Sequence, residues 1–274
     1  MCIIFEFHGL MIRSTLISIL AGLLVGCHSV RRVEVPTGPH FRVLTYNVNW
    51  GMPRADLAAE IIRKSGAEIV CLQETTPEWE VQLRAALSRE YPYMDFRESR
   101  GRMGGGLAFL SKVGQAEVAY IPSDTGWFDG WIREFETPIG PVQVLNVHLH
   151  PPVGKRGGWT LGGYLFTGKD RRREVQRFYP TRKPGLPTLV VGDFNDTQNC
   201  AAIKWLKRQQ MTNALPQFDR HSDTWEWQAS LIRLHRRMDH VLYSPELNCC
   251  AAEVIHAGAS DHFPVAATFE MSGR

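Results

Sequence analysis

Short apolar runs alternate with polar or glycine-rich breaks along most of the chain, at the spacing of strands and helices in an α/β domain. Phe41–Trp50 is rich in β-branched and aromatic residues and reads as a strand. Helical periodicity follows over Arg54–Ser65 and stops at Gly66. Ala67–Glu74 reads as the next strand, and Pro77–Arg89, with proline near its start, as the next helix. Leu107–Ser111, Glu117–Ile121 and Trp127–Phe135 continue as strands through a hairpin-rich middle, and Pro141–His150 is a strong strand. Pro151–Gly168 carries Pro-Pro and repeated glycines, and its length suits a functional loop or lid. A basic helix over Lys169–Phe178, a strand over Leu189–Val191, a helix over Cys200–Gln209, a strand over Arg237–Ser244 and a last strand after Ser260–Val265 complete the pattern.

The polar residues that interrupt this pattern sit at strand ends. After Leu189-Val190-Val191, Gly192 breaks the strand and Asp193 and Asn195 follow on the turn; alternate residues of an extended chain share a face, so both can reach one point. Asn47 and Glu74 end two strands separated by one helix. His148 and His150 share a face with Asn146, Asp239 opens a strand, and Asp261 and His262 precede the last one. Singly, each has an ordinary reading as a cap, a surface carboxylate or an Asx turn. Together they offer oxygen ligands for a hard divalent cation and imidazoles and amides for the charge that develops on a phosphoryl group. No Gly-x-Ser-x-Gly elbow is present to argue for a serine nucleophile.

Composition bounds the picture without deciding it. With 274 residues, 44% apolar and 22% charged, the chain is long enough for one large core. A net charge of +3 does not itself argue for nucleic acid. Its distribution is more telling: nine Lys or Arg lie between Lys155 and Lys183 against Asp170 and Glu174, and Lys155, Arg156, Arg171 and Arg172 are the candidate contacts to a phosphate-bearing substrate. A solvated helix face gives the same pattern.

At the N-terminus Arg13 precedes an apolar run over Ser14–Val25 of signal-peptide length, and Leu24-Val25-Gly26-Cys27 resembles a bacterial lipobox with Cys27 as the lipidated residue. Met11 is an alternative start, and no Asp follows Cys27. Residues 1–27 are therefore expected to be a signal peptide, 28–40 a tether and 41–274 the domain, anchored by lipid in the bacterial cell envelope (the outer membrane in a Gram-negative cell). Export would permit disulfides, but how Cys200, Cys249 and Cys250 pair, if at all, stays open; Cys71 reads as a core residue.

Taken in order, TYNVN, IVCLQE, NVHLH, VVGDFND, RMDHVLYS and SDHFPV resemble the motifs of the endonuclease/exonuclease/phosphatase superfamily, which includes DNase I-like nucleases, inositol polyphosphate phosphatases and neutral sphingomyelinases. The resemblance spans residues 41 to 270. It implies a four-layer α/β sandwich of two mixed sheets flanked by helices. It implies Glu74 as the main ligand of Mg²⁺ (Mn²⁺ is a possible substitute), with Asn47 and Asp261 nearby. It implies His148 on the scissile phosphate, Asp193 orienting or deprotonating the attacking water, Asn195 on a phosphate oxygen, and Asp239 orienting His262. The expected activity is metal-dependent phosphodiester hydrolysis by a monomer, most simply of nucleic acid. A phosphomonoesterase, a sphingomyelinase-like lipid phosphodiesterase or a catalytically silent binding module are the alternatives. Two departures stand out: no acid occurs in Gly101–Gly106 to support His148, and His240 follows Asp239 where Tyr is usual.

Overall fold

The computed structural model describes residues 30–51, 54–98, 104–125, 127–152, 167–229 and 232–273. Residues 1–27, expected as a signal peptide with Cys27, together with Lys155, Arg156 and most of the expected lid, lie outside the described residues.

Two six-stranded sheets face each other. The first contains β1 (Phe41–Asn47), β2 (Ile69–Thr75), β3 (Tyr93–Arg97), β4 (Gly106–Ser111), β13 (Leu247–Val254) and β14 (Val265–Met271), in the order β13-β14-β1-β2-β4-β3. The second contains β5 (Gln115–Ile121), β6 (Gly130–Thr137), β7 (Gly140–His148), β8 (Thr188–Asp193), β9 (Thr212–Asn213) and β12 (Asp239–Tyr243), in the order β5-β6-β7-β8-β12-β9. Both are mixed: β1 runs parallel to β2 and β7 parallel to β8, while the other pairs are antiparallel. A separate two-stranded ribbon joins β10 (Trp225–Ala229) to β11 (Ile232–Arg236).

Three clusters of buried side chains define four layers. Alternate residues of the central strands, among them Val43, Cys71, Phe109, Trp131, Val144 and Val191, pack between the sheets. Their neighbours along each strand point outward. Leu44, Val70 and Leu72 meet α1 (Ala55–Ser65) and α2 (Pro77–Leu87). Leu145, Val190 and Leu242 meet α3 (Gly168–Phe178) and α4 (Ala201–Arg208). Strands buried on both faces read as unbroken apolar runs, and each full burial of such a side chain stabilises by about 1.5–3 kcal/mol. This is the sandwich that the motifs imply.

An amide clamp ties the sheets beneath the site. Gln73 Nε2 donates to Asn146 Oδ1 at 2.7 Å, and Asn146 Nδ2 donates to the carbonyls of Leu72 and Ala108. Asn146 is therefore a structural strut between layers. Gly192 fits because β8 and β7 approach closely there: its φ is +137°, and a Cβ would lie 1.9 Å from the Val147 carbonyl oxygen.

Several expectations change in detail. The strand over Pro141–His150 ends at His148, and β3 and β13 are strands without a strong periodic signal. The four described cysteines are free thiols. Cys200 caps α4, its Sγ accepting from Ile203 N, whereas Cys249 lies in the inter-sheet core. The segment expected as a tether touches the body: Arg31 N donates to Gln217 O and Glu34 N to Cys250 O.

Candidate functional site

Parallel pairing of β1 with β2 and of β7 with β8 brings four strand ends to one edge of the sandwich, and β12 and the 260–262 turn join them. They enclose a cleft of about 420 Å³. Glu74, His148, Asp193, Asn195, Asp261 and His262 all line it, with Trp50, Trp127, Phe128 and Trp225 on its rim.

One side of the cleft is organised by Asn47. Its Nδ2 donates to Glu74 Oε1 at 3.0 Å and to Asp193 Oδ2 at 3.1 Å. Glu74 adopts φ +63°, left-handed backbone that a glutamate tolerates only under surrounding constraint. The irregularity falls where β2 shifts register against β4, between Gln73 and Thr75, and turns the Glu74 side chain into the cleft. Its Oε2 accepts from Trp50 N, and burial raises its pKa. Asp261 is held by Asn49 Nδ2 at 2.7 Å and Trp225 Nε1 at 3.0 Å.

The other side is a hydrogen-bonded relay. Asp239 and Asp193 are register partners on β12 and β8. Asp239 Oδ2 accepts from Thr224 Oγ1 at 2.6 Å and meets His262 Nδ1 at 2.9 Å, while His262 Nε2 lies 3.7 Å from Asp193 Oδ2. Burial disfavours the His262 imidazolium, but Asp239, Asp193 and Asp261 outweigh it and lift its pKa above the usual value. Burial pushes the Asp193 carboxyl up. Ligand-type atoms of Asp193, Asp239 and His262 lie within 4.8 Å of one another. In that trio Asp239 Oδ2 is engaged by Thr224 Oγ1 and His262 Nδ1, an arrangement that can pass a proton, while Asp239 Oδ1 is buried without a hydrogen-bond partner among the described residues. The Glu74 side suits a cation: Glu74 and Asp261 are bound only by neutral amide and indole donors among the described residues.

His148 Nε2 lies 3.5 Å from Asp193 Oδ2 and 3.9 Å from Glu74 Oε1. Burial, reinforced by the His262 charge, lowers its pKa to about 3, so the ring is neutral. Its Nδ1 is buried without a hydrogen-bond partner among the described residues. In place of a supporting acid, the ring of Phe128 stacks on it, with centroids 3.8 Å apart. Asn195, at φ +51°, donates from Nδ2 to Leu149 O, which fixes the amide at the mouth of the cleft.

The expectation for Arg171 is corrected. Its guanidinium is fully buried and binds Asp196 at 2.8 Å, Thr167 Oγ1 and His150 O, so it braces α3 against the turn after β8 and does not meet solvent. Arg172 is exposed on α3. His150 turns its ring against Trp127, 5.0 Å between centroids. His240 lies outside the cleft, buried against Asn213 Nδ2, Asp196 O and the edge of Phe194, which makes it a packing residue. Sequence reasoning left Asn49, Thr224 and Phe128 without roles. Asn49 is legible in hindsight as the second asparagine of TYNVN; the other two act through contacts that no local pattern encodes.

A sequence model described as the Endonuclease/Exonuclease/phosphatase family matches residues 44–262. The chain belongs to that family. Its fold is similar to that of humanized D. rerio TDP2, with a TM-score of 0.66 at 15% identity over 85% of this chain and 99% of that one. It is also similar to the human Nocturnin catalytic domain, with a TM-score of 0.62 at 19% identity over 87% and 97%. Among curated proteins, an inositol phosphosphingolipids phospholipase C from Saccharomyces cerevisiae is 28% identical over 159 residues, 52% of this chain and 32% of that protein. The match thus spans about a third of the relative's length.

Proposed function

We propose that this chain is a metal-dependent phosphodiesterase that hydrolyses its substrate by direct attack of water. The observation that carries the reading is the convergence of Glu74, His148, Asp193, Asn195 and the Asp239–His262 pair on one cleft. Glu74, Asn47 and Asp261 would hold a divalent cation, Mg²⁺ in the first instance, and the cation supplies Lewis-acid polarisation of a phosphoryl oxygen. Asn195 and the neutral His148 ring bind phosphoryl oxygens. Asp193, its carboxyl raised by burial, takes a proton from water. Asp239 keeps His262 protonated to stabilise the developing charge.

Nucleic acid is the first substrate class to test. A phospholipase C-like reading has its own support in the yeast relative and in the tryptophans on the rim. Lipidation at Cys27 and residence in the cell envelope are part of the proposal; they rest on the leader sequence, and among the described residues no helix is long and apolar enough to cross a membrane.

The test is hydrolysis of DNA, RNA, bis(p-nitrophenyl) phosphate, inositol phosphates and sphingomyelin with Mg²⁺, beside Glu74→Ala. Loss of a measured activity in the variant supports the reading. Parent-level activity in Glu74→Ala overturns the metal assignment, and inactivity of the parent on all substrates favours a binding module.

A further inference from the structure

Several cations of the basic segment expected to meet a polyanion are engaged within the fold where it is described. Arg171 pairs with Asp196 and Arg173 with Asp170, Lys183 is taken by Glu134, and Arg177 donates to Pro122 O. Lys169 and Arg172 stay exposed on α3 without an ion pair among the described residues, and further such arginines line a cavity elsewhere. A cavity of about 340 Å³ opens between the turn at 197–199, the loop at 220–223 and the corner at 236–237. Its cations are Arg220, Arg236 and Arg237, with His221 beside them. Arg237 is buried and tied to Asp219 and to the carbonyls of Asp219 and Ser222. The acid on the wall, Asp223, is engaged by His235 Nδ1. Among the described residues Arg220 and Arg236 are exposed and have no ion pair, Arg236 donates only to His235 O, and Arg220 makes no side-chain hydrogen bond.

We propose that this cavity binds a second phosphate group of the substrate, adjacent to the one hydrolysed. The proposal rests on the phosphodiesterase reading and deepens it. The cavity and the catalytic cleft are lined by residues that neighbour each other along the chain in two places. Thr197 follows Asn195 by two residues and Arg237 precedes Asp239 by two, so both joints span at most about 7 Å of chain. Met238, between Arg237 and Asp239, lines the catalytic cleft. The forks of Arg220 and Arg236 match phosphate oxygens in pairs, and Thr197 and Asn199 add neutral donors to the lining. A nucleic-acid backbone and a phosphorylated lipid headgroup both supply such a neighbouring phosphate.

The experiment compares substrates that differ by one phosphate, on the full protein and on the double variant Arg220→Ala/Arg236→Ala. One pair is a thymidine dinucleotide and trinucleotide, the other vesicles of phosphatidylinositol and phosphatidylinositol monophosphate; bis(p-nitrophenyl) phosphate is the reference. The parent is expected to favour the second phosphate by about tenfold in kcat/KM, since charge-assisted bonds dominate such a contact. The double variant should lose that preference with its reference rate unchanged. The pair that shows the preference identifies the source of the phosphate. A parent without preference in either pair, or a variant that keeps it, overturns the proposal. If the parent hydrolyses none of the substrates, the phosphodiesterase reading fails, and inorganic phosphate titrated against the backbone amides of 197–199 and 220–223 by NMR decides the cavity separately. Saturable shifts that vanish in the variant support it, and amides that do not move overturn it.

Discussion

Phe128 lies face to face with His148, ring centroids 3.8 Å apart and planes inclined by 18°. The stack covers an imidazole whose Nδ1 has no hydrogen-bond partner among the described residues, so apolar contact with Phe128 contributes to its orientation. Aromatic pairs contribute about 0.5–1.5 kcal/mol beyond burial. Phe128→Ala should therefore lower kcat on bis(p-nitrophenyl) phosphate by about tenfold with KM little changed, and Phe128→Trp should retain most of the rate. Equal kcat in Phe128→Ala and parent would show that His148 needs no such support.

Glu174 holds the loop that carries this wall. It is fully buried on α3; Oε1 accepts from Thr125 Oγ1 at 2.5 Å and Ser123 Oγ at 3.2 Å, and Oε2 from His150 N at 2.8 Å. The carboxylate thus joins the 122–128 loop to the end of β7. Glu174→Ala leaves buried donors unsatisfied, at a cost of about 1–3 kcal/mol, and should lower both the melting temperature and kcat. Glutamine can serve the same three groups after the two hydroxyls reverse their roles, so Glu174→Gln should restore kcat. Failure of Gln to rescue would separate charge from geometry.

The relay makes a prediction about pH. Asp239 is the largest influence raising the His262 pKa against the lowering effect of burial. In Asp239→Asn that influence is gone, the His262 pKa falls, and protonated His262 is lost at a lower pH. The alkaline limb of the pH–rate profile should move to lower pH, with kcat reduced by about 100-fold, the upper end of losses for an orienting carboxylate. An unmoved alkaline limb would remove His262 from the role of charged partner.

His240 sets a stability prediction instead. Burial lowers its pKa from 6.5 to about 4, so the fold holds it neutral. The unfolded chain binds the proton first as pH falls, and the stability contributed by neutral His240 is complete above about pH 6.5 and lost as pH falls through about 4. The loss is on the order of 3 kcal/mol at about 1.4 kcal/mol per pH unit. Melting temperature measured from pH 7 to 4 should fall less steeply in His240→Gln than in the parent, although the variant starts lower because the bonds to Asn213 and Asp196 change.

Much of this protein is legible along the chain. Apolar runs bounded by glycine and polar residues mark the central strands, because strands buried on both faces tolerate few interruptions. The interruptions at Asn47, Glu74, His148, Asp193 and Asp261 therefore point to the site before any coordinates are known. Asp193 and Asn195 both reach one mouth, but by a turn and not by strand alternation: β8 ends at Asp193 and Asn195 adopts φ +51°.

What only the tertiary structure decides is which charges remain available. Arg171 and Arg220 are alike as letters in a basic sequence; one is buried against Asp196 and the other has no ion pair among the described residues. Phe128 and Glu174 gain their roles from segments some twenty to fifty residues away, brought together by the antiparallel pairing of β6 with β7 and by helix packing. A carboxylate or a guanidinium takes its function from the partners and the dielectric around it, and those are set by how the layers close.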